Sequence, residues 1–152
     1  MTVHWRWYEW PELDADTLYA FLKLRSDIFV VEQNCAYPDI DGLDPQCRHL
    51  CGFDADGELR AYLRLLPPGL KNAHPAIGRL VVAAPARGRE LGRRIMLEGL
   101  RACGLHYPGQ AVFLSGQQHL QHFYESLGFR VISAPYLEDG IPHVDMLRAD
   151  TA

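Results

Sequence analysis

Three arginines and two glycines fall within seven residues at Arg87-Gly88-Arg89-Glu90-Leu91-Gly92-Arg93. Guanidinium groups grip anions through paired N–H donors, and glycine lets a ligand approach the backbone closely. The residues ahead of this turn, Ile77-Gly78-Arg79-Leu80-Val81-Val82-Ala83-Ala84-Pro85, are apolar and β-branched and read as a buried strand closed by proline. The residues behind it carry a helical pattern from about Glu90 to His106. A helix that starts on such a turn offers unpaired backbone amides and the positive end of its dipole, and phosphate suits both. The arginines around it could be no more than a charged, solvated helix end. Three cations there oppose the dipole unless an anion compensates, so a phosphate-bearing cofactor is expected.

Metal chemistry is the other reading the side chains raise. Cys47, His49 and Cys51 stand at alternate positions and would share one face of a strand, with Cys35 as a fourth ligand. That spacing matches none of the common zinc patterns. Cysteines packed as small apolar residues account for it better, and no metal is expected.

The elements that must hold these groups can be read in order. Val3 to Trp10 alternates as an aromatic-rich strand that Pro11 ends. Asp14 or Asp16 caps a helix whose stripe is Leu18, Phe21, Leu22, Arg25, Phe29 and Glu32. Leu24 to Gln33 continues as a second helix or a bent end of the first. The acidic, turn-rich run Tyr37 to Pro45 is a loop, either a wet connector or a substrate rim. Its Asp39, Asp41 and Asp44 hint at a cationic amine. Strands are predicted over Arg48–Phe53 and Leu59–Leu66, joined through Asp56-Gly57. After the long helix come a strand from Ala111 to Ser115, a short helix over 118–127 capped by Gly128, and strands over Phe129–Ala134 and His143–Leu147. A connector over 135–142 joins the last two. The result is a mixed α/β sheet in one domain spanning 1–152.

Composition sets outer bounds. With 48% hydrophobic residues the 152-residue chain can build a real core. A net charge of −4 argues against a protein held on nucleic-acid phosphates. There is no apolar run of membrane-spanning length and no signal-peptide pattern, so no membrane partner is expected and a cytoplasmic location is. Four cysteines without CxxC spacing are expected to be reduced thiols.

Element order and motifs together resemble the GNAT superfamily of acetyl-CoA-dependent N-acyltransferases, over nearly the whole chain. The family signature Arg/Gln-x-x-Gly-x-Gly/Ala is met by Arg87 and Gly92, with Glu90 in place of the middle glycine. That departure bears on one close backbone approach to a pyrophosphate, and Gly88 supplies freedom two residues earlier. A second block, Asn-x-x-Ala-x-x-Phe/Leu-Tyr-x-x-x-Gly-Phe, is met by Phe123, Tyr124, Gly128 and Phe129, with Gln117 keeping an amide in place of its asparagine and Leu120 replacing its alanine. The stretches from Leu24 to Tyr37, Asp41 to Asp44, His49, and Glu138 to His143 are similar to the ElaA subgroup.

The resemblance implies a sheet whose fourth and fifth strands splay apart, flanked by helices, with acetyl-CoA between them as acyl donor. Pantetheine would lie along Leu80, Val81 and Val82. The pyrophosphate would rest on Arg87, Gly88, Arg89, Glu90, Leu91, Gly92 and Arg93, and Gln117 and Tyr124 would also face the cofactor. A primary amine on a small molecule or peptide would attack the acetyl carbonyl directly in a ternary complex. By position Tyr124 is the proton donor to the leaving thiolate, though a core tyrosine with a satisfied hydroxyl is the plain alternative. Glu32, His49 and His143 are candidate bases, and a water chain could serve instead. The resemblance also makes a homodimer plausible. A non-catalytic acyl-CoA-binding or protein-interaction module on the same fold is the alternative function.

Overall fold

The computed structural model describes residues 2–88 and 90–149. Eight strands form one sheet in the order β1-β2-β3-β4-β5-β8-β6, with β7 also paired to β8. They are β1 (His4–Tyr8), β2 (Arg48–Phe53), β3 (Leu59–Leu66), β4 (Ala76–Val82), β5 (Val112–Gln117), β6 (Arg130–Val131), β7 (Tyr136–Glu138) and β8 (Ile141–Arg148). All pairings are antiparallel except β4 with β5. The expected mixed α/β architecture is what the chain adopts.

Helix α1 (Ala15–Arg25) begins where Asp14 accepts a hydrogen bond from the Thr17 amide at 2.6 Å, which settles the choice of cap. It runs on without a break into a π-helical turn, Ser26–Glu32, and this is the bent continuation expected from the sequence. Wide turns of this kind often border functional sites. Helix α2 (Leu91–His106) lies on the opposite face of the sheet. Its Leu91, Ile95, Met96, Ala102 and Cys103 are buried against Leu63, Leu65 and Ile77. Full burial of each large aliphatic side chain contributes about 1.5–3 kcal/mol, which fixes how α2 sits on the sheet. The short helix α3 (Gln121–Glu125) runs into a turn that closes at Gly128, where φ is +93° and the Phe129 amide reaches back to the Tyr124 carbonyl.

Three expectations fail locally. The first strand stops at Tyr8 because Pro11 draws Trp10–Glu12 into a 3₁₀ turn. The strand expected over Phe129–Ala134 shortens to Arg130–Val131. The supposed connector contains β7, which forms a hairpin with β8 around Asp139-Gly140, both at positive φ.

One irregularity shapes the centre of the molecule. Tyr62 pairs with Val81 and Arg64 with Gly78, so Arg79 and Leu80 together face Leu63. This is a β-bulge, and Arg79 within it has φ +55°. Beyond it β4 and β5 part company, their ladder being confined to Ala76 and Phe113. The splay expected of the fourth and fifth strands is present.

Candidate active site

The wedge between β4 and β5 is a cavity of about 450 Å³ that opens through the sheet. Ile77 to Val82 line it from β4 and Leu114 to Gln117 from β5. Ile28, Phe29 and Glu32 of the π turn, Gly92 and Met96 of α2, and Phe123 and Tyr124 of α3 close it. Backbone groups on this edge of β4 have no neighbouring strand past Ala76, so Leu80, Val81 and Val82 offer hydrogen bonds to whatever fills the wedge.

At one end lies the start of α2. Its N-cap, Glu90, provides no side-chain cap, and the first intrahelical bond runs from the Arg94 amide to the Glu90 carbonyl. By helix geometry the amides of Leu91, Gly92 and Arg93 are left pointing outward. Glu90 sits at φ +55°, ψ +21°, the left-handed conformation that glycine adopts freely. The turn therefore keeps a glycine-like path although glutamate occupies the position. Gly88, at φ +79°, precedes it, and Arg89 lies outside the described residues. Arg93 bonds Ser126 Oγ at 3.0 Å from its Nη1.

Arg87 and Glu32 form a bidentate pair at 2.9 and 2.6 Å across this end. Both side chains are more than two-fifths exposed, so water screens the pair and it can yield to a phosphate. The hydrogen bond from Arg87 also lowers the Glu32 carboxyl, which makes Glu32 a weaker base than an ordinary glutamate. Glu32 is better placed as the partner of Arg87 than as a proton acceptor.

Tyr124 is buried against the cavity, edge-on to Phe123 and Phe129. Burial pushes its phenol up to about 12, so it stays protonated throughout the physiological range. At neutral pH it is a hydrogen-bond donor and cannot serve as a base. Gly116 makes room for the ring: a Cβ there would stand 2.8 Å from Tyr124 Cε2. Gln117 spans the wedge to Gln33 through a 3.1 Å hydrogen bond.

His49 is a correction. It is wholly buried, stacked on Phe21, and outside the cavity lining. Its Nε2 lies 2.9 Å from the Asp44 carbonyl, which only accepts, so Nε2 donates and Nδ1 accepts from Tyr62 at 2.7 Å. Burial lowers its pKa and keeps it neutral. Both nitrogens are committed to the core, and no lone pair faces the site.

The acidic loop is a second correction. Asp39, Asp41 and Asp44 turn inward onto Arg25, Arg64 and Arg79. Arg25 is wholly buried and takes Asp39 at 2.9 Å and Asp44 at 2.8 Å. Arg64 grips Asp41 with both terminal nitrogens. Burial disfavours the Asp41 charge, but the Arg64 hydrogen bonds outweigh it and hold the carboxyl well below the usual carboxylate range. Three carboxylates balance three guanidiniums, so the loop leaves no free negative field for a cationic amine. What it does is clamp Arg79, and with it the bulge.

The face of the sheet opposite Tyr124 holds residues that sequence reasoning did not single out. Ser115 Oγ meets Tyr136 Oη at 2.5 Å, and Tyr136 Oη meets Asp145 Oδ1 at 2.6 Å. His143, a candidate base, lines the cavity beside them, with Nδ1 on the Ile141 carbonyl at 2.7 Å and Nε2 3.3 Å from Glu138. A signal did exist. In β8 the apolar Val144 and Met146 enter the core, while His143 and Asp145 fall on the other side by alternation. Among the described residues no group of three His, Cys, Asp or Glu could hold a metal ion.

A splayed parallel strand pair, an uncapped helix start at one end and a buried tyrosine beside the gap define a protein class. The chain belongs to the GNAT acetyltransferase family: residues 44–149 match the family described as "Acetyltransferase (GNAT) domain". It is an acyltransferase of a fold that binds acyl-CoA. It is 43% identical to the protein ElaA of Escherichia coli K12, covering 96% of each chain. The crystal structure of Escherichia coli ElaA superimposes with a TM-score of 0.90, covering 97% of this chain and 99% of that one. An acyl-CoA N-acyltransferase from Pseudomonas aeruginosa, 42% identical, superimposes with a TM-score of 0.93 over 97% of this chain and 100% of that one.

Proposed function

We propose that this chain, as a single domain, transfers an acetyl group from acetyl-CoA to a primary amine by direct attack in a ternary complex. The observation that carries this reading is the two-sided cavity. Tyr124 stands on the α2 side of the splayed strands, and polar side chains converge from the other side. When bound, acetyl-CoA supplies an acyl group activated as a thioester. The edge of β4 at Leu80, Val81 and Val82 would hold the pantetheine arm. Arg87, Gly88 and Glu90 to Arg93 would take the pyrophosphate on outward amides and guanidiniums, with Arg89 assigned as a further charge in the same turn and Gln117 by its place in the second family block. An amide near Val82 would face the carbonyl oxygen, where negative charge grows as the amine attacks.

Tyr124 would donate its hydrogen bond to the departing sulfur. Its high pKa suits a donor that stabilises a thiolate without surrendering its proton permanently. A cytoplasmic setting fits four free cysteines. The acceptor is a small-molecule or peptide amine.

Tyr124→Phe tests the assignment. Turnover should fall roughly 10²-fold or more, the scale of a lost proton donor, while the thermal stabilisation given by acetyl-CoA stays close to wild type. Unchanged turnover would return Tyr124 to the core. Stabilisation by acetyl-CoA without turnover on any amine would favour a binding module.

A further inference from the structure

We propose that Ser115, Tyr136 and Asp145 form the path by which the acceptor amine loses its proton; the inference rests on the acyl-transfer reading above. Three strands converge to build it. Ser115 on β5 is the register partner of Asp145 on β8, and Tyr136 on β7 pairs with the neighbouring His143. Tyr136 Oη lies between the other two oxygens, at 2.5 and 2.6 Å. Donor and acceptor roles follow from the ends. The Asp145 carboxylate can only accept, so Tyr136 donates to it and Ser115 donates to Tyr136. This leaves the lone pairs of Ser115 Oγ for a donor in the cavity, which Ser115 lines. An ammonium N–H is such a donor. The relay thus lies on the face of the sheet opposite Tyr124, the side from which an amine can reach the carbonyl carbon while sulfur departs toward the phenol.

The steps balance. The ammonium proton passes to Ser115 Oγ as the serine proton passes to Tyr136 and the tyrosine proton to Asp145. The freed nitrogen pair forms the N–C bond and the C–S pair leaves with sulfur; the second proton that the nitrogen sheds as the amide forms is the one the thiolate gains as thiol. Asp145 is partly exposed and returns the proton to water. The benefit is access to the abundant form of the substrate, because only about one alkylamine in a thousand is neutral at pH 7.

The groups facing the relay are accounted for. His143 stacks on Tyr136 with ring centroids 6.1 Å apart, and Glu138 of β7 approaches His143. Lys71, Asp139, Tyr37 and Cys35 line the same cavity. Burial first, then the hydrogen bond to Asp145, pushes Tyr136 up to about 12, so it carries its proton between transfers.

The test is kcat/KM from pH 7 to 10 with acetyl-CoA and the best primary alkylamine from a panel, for wild type, Ser115→Ala, Tyr136→Phe, Asp145→Asn and His143→Gln. With the relay broken, only neutral amine from solution reacts. Each relay variant should lose about 10²-fold or more at pH 7, gain tenfold per pH unit, and approach wild type near pH 10. Ser115→Thr, which keeps the hydroxyl, should recover most of the loss. A merely structural role would depress the rate equally at all pH values, and that result would overturn the relay. The same pH-dependent loss in His143→Gln alone would assign the proton to the imidazole and also overturn it. A variant that fails to fold is read through the other two. No turnover by wild type on any amine would sink the acyl-transfer reading itself, and the relay with it.

Discussion

Tyr124 and Glu90 show how environment, more than residue type, decides a role. A phenol in water sits near ~10, only a little above a thiol. Enclosed by Phe123, Phe129 and Gly116, Tyr124 rises to about 12, which makes it a standing donor. Glu90 occupies a left-handed position at a cost of about 1–2 kcal/mol. Glu90→Gly should remove that cost, offset by about 0.4–1 kcal/mol from the freer unfolded chain. The expected net is a gain of several tenths to about 1 kcal/mol in urea unfolding, with acetyl-CoA affinity retained. A loss of stability would show that the Glu90 side chain makes a contribution larger than its backbone cost. Glu32 was legible as a residue on the helical stripe, but its bidentate partner lies 55 residues away, and nothing local announces Arg87 as that partner.

At the scale of elements, local signals were the legible ones. The long helix α2, the Asp-Gly hairpin, the Pro-closed β4 and the Gly128 cap each follow from residues within a few positions. The splay of β4 from β5 came through family motifs, and the bulge beneath it did not show, because Gly78-Arg79-Leu80 reads as ordinary strand. β7 was missed since three strand residues sit among Pro135, Gly140 and Pro142, and with it went Tyr136. The acidic loop was misread because its partners come from α1, β3 and β4. Arg25 on an apolar stripe was the clue, since an arginine buried with such a face needs carboxylates. That network ties three elements to the bulge and makes a direct prediction. Asp44→Asn leaves the buried Arg25 and Arg64 each short of an anion, and should cost about 3–5 kcal/mol by denaturant unfolding. A change below about 1 kcal/mol would mean that the network carries little of the fold.

For the whole molecule the same carboxylates set the acid limit. Asp41 and Asp44 have pKa values lowered in the fold, against burial, by hydrogen bonds from Arg64 and Arg25 respectively. A depressed folded pKa gives stability that is complete above the unfolded value near ~3.9 and is lost as pH falls through the folded value. Their contribution should therefore stay constant from neutrality to about pH 4 and drop below it; a loss already under way between pH 7 and 5 would point to buried neutral His49 instead, whose depressed pKa acts in that window. No helix among the described residues is long and apolar enough to cross a membrane. Sheet, bulge and clamped loop hold open a cleft with a phosphate cradle at one end, and polar groups across the sheet from its tyrosine. The most direct test of that design is an acceptor screen: purified protein with acetyl-CoA and a panel of small amines, polyamines and peptides, followed by release of free thiol. Amine-dependent thiol release, with a matching N-acetyl product, is the predicted result. Acetyl-CoA that binds and stays intact with every amine would contradict it.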